Sequence, residues 1–316
     1  MREKKRVSYS SNIHANTLCS TYMKEFTFSD KIMGTTLEIA LVTDNFAKAE
    51  KAFAHVLEMA QAYERTFSRF QDQSELSRLN HQKNMRVSGS FIEVTRTAQK
   101  LHAQTCGIFN PLLQIEKLSY DVSFEKITPR MSTAVFEPYD IDMTKVLINE
   151  TKQEISIGEK QKLDYGGFLK GFVAERIAET LSTFHGVIVN IGGDLYTSGL
   201  DPHREQFRFT IYNPITDTYT NSFALHNEAM ATSGTYKRTW VVGDKKISHI
   251  VDSSMKNPTT DLVSATIVAP HGDIAEAYAT TALCLGKEKA QLFLDEKQVR
   301  YALITKDGNI TSTIPL

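Results

Sequence analysis

A chain of 316 residues with 41% hydrophobic and 23% charged side chains has the balance of a soluble globular protein able to bury a sizeable core. Its net charge of −1 gives no basic face on average, which argues against nucleic acid as a partner, and no uninterrupted apolar stretch approaches bilayer-spanning length. Cys19, Cys106 and Cys284 are odd in number and far apart, forming neither a disulfide framework nor a CxxC metal motif, so a reducing, cytoplasmic setting without a membrane partner is expected.

The basic start "MREKKR" and the residues up to 24 are expected to be a disordered extension, with one domain over 25–316. Residues 32–42 have the alternating, β-branched character of a strand, and Asp44 or Asn45 can cap the helix that follows. In that helix Phe46, Ala49, Phe53, Val56, Leu57, Ala60 and Tyr63 recur at three- and four-residue spacing and make one apolar stripe. Ser74 is placed to cap a short second helix. Ser90 and Glu93 read as a capping box for a third, which Gly107 stops before the turn "GIFNP". Residues 115–162 are polar and irregular, with strand-like pieces in "VLINE" and "QEISIG". "DYGGFLKG" (164–171) leads into the helical pattern "FVAERIAETL", and "VIVNIGGDLYTSG" reads as a strand broken at Gly192-Gly193. From residue 206 onward strands dominate: "FRFTIYN", "TWVVGD", "KISHIVD", "LVSATIVAP" and "RYALITKDG". Gly243-Asp244 and Asp307-Gly308 are the expected hairpin turns, and "DIAEAYATTALCL" and "KEKAQLFLDEK" are two further helices. Helices mixed with hairpin strands, without regular βαβ alternation, indicate an α+β fold.

Glycines and a lysine at a helix start suggest an anion cradle, because free N–H groups and the helix dipole both favour negative charge there. "DYGGFLKG" is nevertheless no P-loop, which requires G-x-x-x-x-G-K-[ST], and no G-x-G-x-x-G occurs in the chain. Asp164, Asp194 and Glu276 each adjoin glycines or lie on a helix. Glu276 and Thr280, one turn apart, share a helix face, and such a carboxylate and hydroxyl can hold a hard cation such as Mg²⁺. His249, on a strand in "KISHIVD", can act as a general base. Every one of these has an ordinary reading too: a surface glutamate and a helix-buried threonine, a hydrogen-bonded strand histidine, a solvated lysine at 170, a bulge or turn at the paired glycines. Spacing alone leaves both readings open.

Taken in order, "MGTT" (33–36), "FSRFQDQSELSRLN" (67–80), "GIFNP" (107–111), "DYGGFLKGFVAE" (164–175), "VNIGGDLYTSG" (189–199), "MATSGTYKR" (230–238), "HIVD" (249–252) and "AEAYATTALCLG" (275–286) resemble the FAD:protein FMN transferase (ApbE) family. The resemblance covers nearly the whole chain from Met33. It implies a single ApbE-like, T-fold-like domain of mostly antiparallel strands with packed helices. It also implies an Mg²⁺-dependent enzyme that splits FAD at its pyrophosphate and attaches FMN through a phosphoester to a Thr or Ser of an acceptor flavoprotein, releasing AMP. On that resemblance Met33 and the Ile108-Phe109-Asn110 turn would touch the flavin nucleotide, with Phe70 packed against it and Ile250 lining the flavin site. Asp164 and Lys170 would contact FAD. Gly167, through its backbone oxygen, Glu276 and Thr280 would hold the metal, and His249 together with Lys170 would serve catalysis. Some family members hydrolyse FAD to FMN and AMP instead, and a flavin binder without transfer activity is the reading from a different class. The chain departs from the family pattern at Glu276, where Asp is usual, at "SSMKNP" (253–258), which keeps only Pro258 of P-x-T-G-x-P, and over residues 115–162.

Overall fold

The computed structural model describes residues 23–114, 140–236, 239–242, 245–248, 250 and 261–316. The N-terminal extension expected to be disordered lies outside these residues up to position 22, as do His249 and the "SSMKNP" segment. The single strand expected over residues 32–42 is in fact the end of one strand, a turn and a second strand. β1 (Lys24–Ile32) pairs antiparallel with β2 (Thr35–Thr43), Ile32 opposite Thr35, around Met33 and Gly34. Both turn residues have positive φ, +50° and +66°, the pattern of a two-residue type I′ hairpin whose twist suits the flanking strands. Met33 is an unusual residue for that position, so the usual Asn-Gly signal is absent. Its N–H donates to Glu64 Oε1 at 2.9 Å, which helps to hold the turn.

α1 (Phe46–Phe67) starts where expected: the Asn45 side chain accepts from the Lys48 N–H at 3.0 Å, and Ala49, Phe53, Val56 and Ala60 of the apolar stripe are buried. α2 (Glu75–Gln82) is capped by Ser74, whose hydroxyl accepts from the Ser77 N–H at 2.9 Å, and a short strand, β3 (Asn84–Arg86), follows. α3 (Gly89–Gln104) corrects the expected capping box, because Ser88, not Ser90, accepts from the Phe91 N–H at 3.3 Å. The reciprocal carboxylate is Glu75, to which the Ser88 N–H donates at 2.9 Å, while Glu93 pairs instead with Arg176. "VLINE" and "QEISIG" yield β4 (Leu147–Asn149) and β5 (Glu154–Ser156), and β5 lies between β3 and β4 in a small sheet.

α4 (Leu169–Thr180) is followed by β6 (Gly186–Ile191) and β7 (Asp194–Gly199), a hairpin whose turn is Gly192-Gly193 with φ +67° and +106°. β8 (Phe207–Phe209) pairs with β11 (Phe223–Leu225), and between them β9 (Tyr212–Asn213) pairs with β10 (Thr218–Tyr219). After β12 (Ala229–Gly234), β13 (Thr239–Val242) and β14 (Lys245–Ser248) pair antiparallel; the expected Gly243-Asp244 turn lies outside the described residues. The chain closes with β15 (Leu262–Ala269), α5 (Gly272–Leu285), α6 (Lys287–Glu296), β16 (Arg300–Thr305) and β17 (Ile310–Ser312), the last two joined at Asp307-Gly308 as expected.

The main sheet runs β1-β2-β6-β7-β12-β15-β16-β17, every pairing antiparallel, so the fold is α+β. α1 packs on β1 and β2, α4 on β6 and β7, and α5 on β12 and β15. A second, smaller core gathers Leu195, Phe223, Leu225, Met230, Val263 and Val268. β15 therefore feeds two cores. Its eight positions are all buried, and a register shift between Leu262 and Ser264 changes which alternate residues face the larger one. Among the described residues no helix is long and apolar enough to cross a membrane.

The crossing of α4 and α5 fixes the centre of the molecule. A Cβ on Gly171 would lie 2.1 Å from the Gly272 carbonyl oxygen, and one on Gly272 would lie 2.0 Å from the Gly171 oxygen. Only two glycines allow backbones so close. Each helix then caps the other across the contact: Glu276 of α5 accepts from the Gly171 N–H, and Glu175 of α4 accepts from the Gly272 N–H, both at 2.8 Å. Neither helix has a side-chain cap of its own, and carboxylates near both N-termini also complement the helix dipoles.

Candidate active site

The loop "DYGGFLKG" alternates between core and cavity. Tyr165 and Phe168 are fully buried, Tyr165 packing edge-on against Phe67, Phe91 and Phe168 with ring centroids 5.7 to 5.9 Å apart. Such pairs contribute roughly 0.5–1.5 kcal/mol each beyond burial. The Tyr165 hydroxyl, 2.7 Å from Thr95 Oγ1, has its hydrogen-bonding needs met inside the core, and burial raises its pKa. Anchored by these rings, the loop turns Asp164, Gly166, Gly167 and Lys170 to a cavity of about 1010 Å³.

That cavity brings together every site residue expected from the sequence except His249, which is outside the described residues. Met33, Phe70, Ile108, Phe109, Asn110, Asp164, Gly167, Lys170, Ile250, Glu276 and Thr280 all line it. Their states differ. Phe70 is 45% exposed, with the Arg69 guanidinium 4.6 Å over its ring, whereas Ile250 is buried. Phe109 is buried against Phe168 at 5.8 Å, and its ring occupies the space a Cβ on Gly167 would need. Asn110 is committed to shaping its own loop: its amide NH₂ donates to the Ile141 carbonyl at 3.0 Å, and its oxygen accepts from the Leu112 N–H at 2.9 Å. Asp164 accepts from the Gly166 N–H at 2.9 Å and pairs with Arg69 at 3.3 Å, while its own N–H donates to the Pro111 carbonyl, tying "DYGG" to "GIFNP".

Charge concentrates on one wall. Lys170 Nζ lies 2.8 Å from Asp194 Oδ2 and also bonds Glu276 Oε1, while Glu276 Oε2 takes the Gly171 N–H. These side chains are 15%, 8% and 5% exposed, so the solvated-lysine and surface-glutamate readings fall away. Burial opposes the Lys170 charge, but Asp194 and Glu276 outweigh it and raise the pKa, keeping the ammonium protonated. Burial pushes the Glu276 carboxyl up to about 7; Lys170 pulls it down and Asp194 adds to the rise. Two carboxylates sharing one ammonium leave a deficit of positive charge. Thr280 Oγ1, one helical turn from Glu276, lies 3.0 Å from Ser233 Oγ of β12.

The paired glycines are a hairpin turn, as their ordinary reading had it, and they also line the cavity. The start of α4, in contrast, is no open anion cradle, since Glu276 already occupies the Gly171 N–H. Sequence reasoning left several cavity residues without a role. In the sequence Asp194 is only an acid beside glycines; Arg69 and Ser233 lie inside motifs of the family resemblance but signal nothing by themselves; nothing local marks Glu64.

The donor chemistry fits a hard cation. Gly167 offers a carbonyl oxygen, Glu276 a carboxylate and Thr280 a hydroxyl, all on the same cavity, and Mg²⁺ takes oxygen ligands. Among the described residues no group of three or more His, Cys, Asp or Glu is placed to hold a metal, so a cation here would depend on the backbone and hydroxyl oxygens.

Residues 33–304 match the sequence profile of the ApbE family. The chain belongs to the ApbE family. Among curated ApbE relatives, the FAD:protein FMN transferase of Klebsiella pneumoniae (strain 342) is 26% identical over 294 residues, covering 88% of this chain and 83% of the relative. The ApbE protein of Thermotoga maritima superposes with a TM-score of 0.80 at 21% identity, covering 92% of this chain and 97% of that one. The flavin transferase ApbE of Vibrio cholerae gives 0.76 at 21% identity with the same coverage. The two structures speak to the ApbE fold, and the fold is the one observed.

Proposed function

We propose that the chain is an FAD:protein FMN transferase that moves FMN from FAD to a Thr or Ser hydroxyl of an acceptor flavoprotein, with AMP as the leaving group and Mg²⁺ as the cofactor. The observation that carries the reading is the wall where Lys170, Asp194, Glu276 and Thr280 meet on a cavity of about 1010 Å³, in a chain whose curated relatives bear that activity as their name.

In this reading the dinucleotide lies along the cavity, with Phe70 and Ile250 offering apolar surface and Asp164 and Lys170 polar contacts. Gly167, Glu276 and Thr280 would hold the cation, which when bound neutralises pyrophosphate charge. Lys170 places its ammonium beside the phosphate oxygens, stabilising the charge that AMP carries away; positioning and charge stabilisation supply most of the rate in phosphoryl transfer. His249, assigned by the family resemblance, takes the acceptor hydroxyl proton as that oxygen bonds to the FMN phosphorus and the bond to AMP breaks. General-base help of this kind is typically worth about 10²–10⁴-fold. A reducing, cytoplasmic setting, expected from the scattered cysteines of the sequence, is part of the same proposal.

Incubation with FAD, Mg²⁺ and a flavoprotein acceptor tests it, following acceptor mass and free AMP together. FMN mass on the acceptor with AMP supports transfer. AMP with free FMN and an unmodified acceptor makes the protein an FAD pyrophosphatase, and bound, intact FAD makes it a flavin binder.

A further inference from the structure

Asp194 has no part in the roles assigned so far, yet it is as deeply placed as Glu276. It opens β7 directly after the Gly192-Gly193 turn, and that turn is fixed on two sides: the Gly193 N–H donates to Asn190 Oδ1 at 2.8 Å, and a Cβ on Gly192 would meet Thr35 Oγ1 at 2.6 Å. The carboxylate is thus held by a rigid hairpin wedged against its neighbour, with its side chain 8% exposed and Oδ2 2.8 Å from Lys170 Nζ. Lys170 meanwhile also occupies Glu276 Oε1, the oxygen that a cation would need.

We propose that Asp194 is a positioning residue which retains Lys170 in the cavity when a divalent cation takes Glu276, so that ammonium and cation exchange places on that carboxylate. The inference rests on the metal reading above. Glu276 keeps Oε2 on the Gly171 N–H, so Oε1 is the atom free to change partner. When Lys170 leaves it, the ammonium stays paired with Asp194 and is neither stranded in a buried site nor swung out to solvent. The exchange leaves both positive charges on the wall that faces a pyrophosphate. Were Asp194 neutral, Glu276 would be the remaining anion of the pair for Lys170, and ammonium and cation would compete for one carboxylate.

Mn²⁺ titration of the full chain without FAD, by calorimetry and Mn²⁺ spin resonance at pH 8, measures this directly in a double-mutant cycle. Asp194→Asn is expected to weaken Mn²⁺ binding at least about tenfold, because Lys170 then competes with the cation for Glu276, a loss within the usual range of coupling between two sites. Lys170→Met, which removes the competitor, is expected to tighten it. In the Lys170→Met background, Asp194→Asn is expected to change affinity less than about threefold, and Asp194→Glu, which keeps the charge, should stay within about threefold of wild type. Thermal melts establish that each variant is folded, with Asp194→Ser and Lys170→Gln as second choices. An equal loss from Asp194→Asn in both backgrounds would show that Asp194 acts on the cation itself and would overturn the proposal. So would unchanged Mn²⁺ binding by Asp194→Asn alone. Absence of Mn²⁺ binding by the wild-type protein would overturn both this inference and the metal reading, whereas wild-type binding without coupling overturns this inference alone.

Discussion

Lys170, Asp194 and Glu276 show how one residue serves structure and chemistry together. Glu276 caps α4 and pairs with Lys170: one carboxylate bonds both the Gly171 N–H and the Lys170 ammonium. Because its carboxyl is raised to about 7, a proton and a cation compete for it, and cation affinity is expected to fall as pH drops below about 7 and to level off above it. Mn²⁺ titrations from pH 6 to pH 8.5 would show this, and a flat profile would tell against Glu276 as a ligand. Lys170→Met leaves two buried carboxylates without their ammonium. Removing one partner of a buried pair costs about 3–5 kcal/mol, so the metal-free variant should melt well below wild type, with Mg²⁺ recovering part of the difference. Thr280→Val has little to disturb beyond the Ser233 contact. It should keep the wild-type melting temperature while activity at limiting Mg²⁺ falls at least about tenfold, as loss of a cation contact would require.

At the scale of elements, the mutual capping of α4 and α5 decides whether these residues meet at all. Gly171→Ala would drive a methyl group into the Gly272 carbonyl and force the helices apart, at a cost of about 3 kcal/mol or more, read by urea denaturation. Glu175→Ala removes the cap of α5 and should cost about 1 kcal/mol, with Mg²⁺ affinity reduced because α5 carries Glu276 and Thr280. The same elements separate what the sequence made legible from what it hid. Asn45 and Ser74 were readable as caps because each bonds an N–H three residues away. The hairpin at Met33-Gly34 was hidden because Met is an uncommon residue at positive φ, and the cap of α3 was misplaced because its reciprocal carboxylate, Glu75, belongs to another helix. The glycine contact at Gly171 was hidden because its partner Gly272 lies on a different helix.

For the molecule as a whole, the antiparallel sheet and its helices converge segments distant in the chain onto one cavity; Lys170 and Glu276 are 106 residues apart. No local pattern encodes such a meeting, which is why the expected site residues could be assembled only through the order of motifs along the chain. Asp194 and Arg69, whose partners Lys170 and Asp164 lie on other segments, received no role for the same reason. In the proposed function this wall serves cation-assisted transfer of FMN to a protein hydroxyl. The most direct test is the mass of a flavoprotein acceptor after incubation with FAD at limiting Mg²⁺, comparing wild-type enzyme with Glu276→Ala. The acceptor should gain the mass of FMN with wild type and remain unmodified with a folded Glu276→Ala variant. Equal labelling by both proteins, or an unmodified acceptor and intact FAD with wild type at any Mg²⁺ concentration, would contradict it.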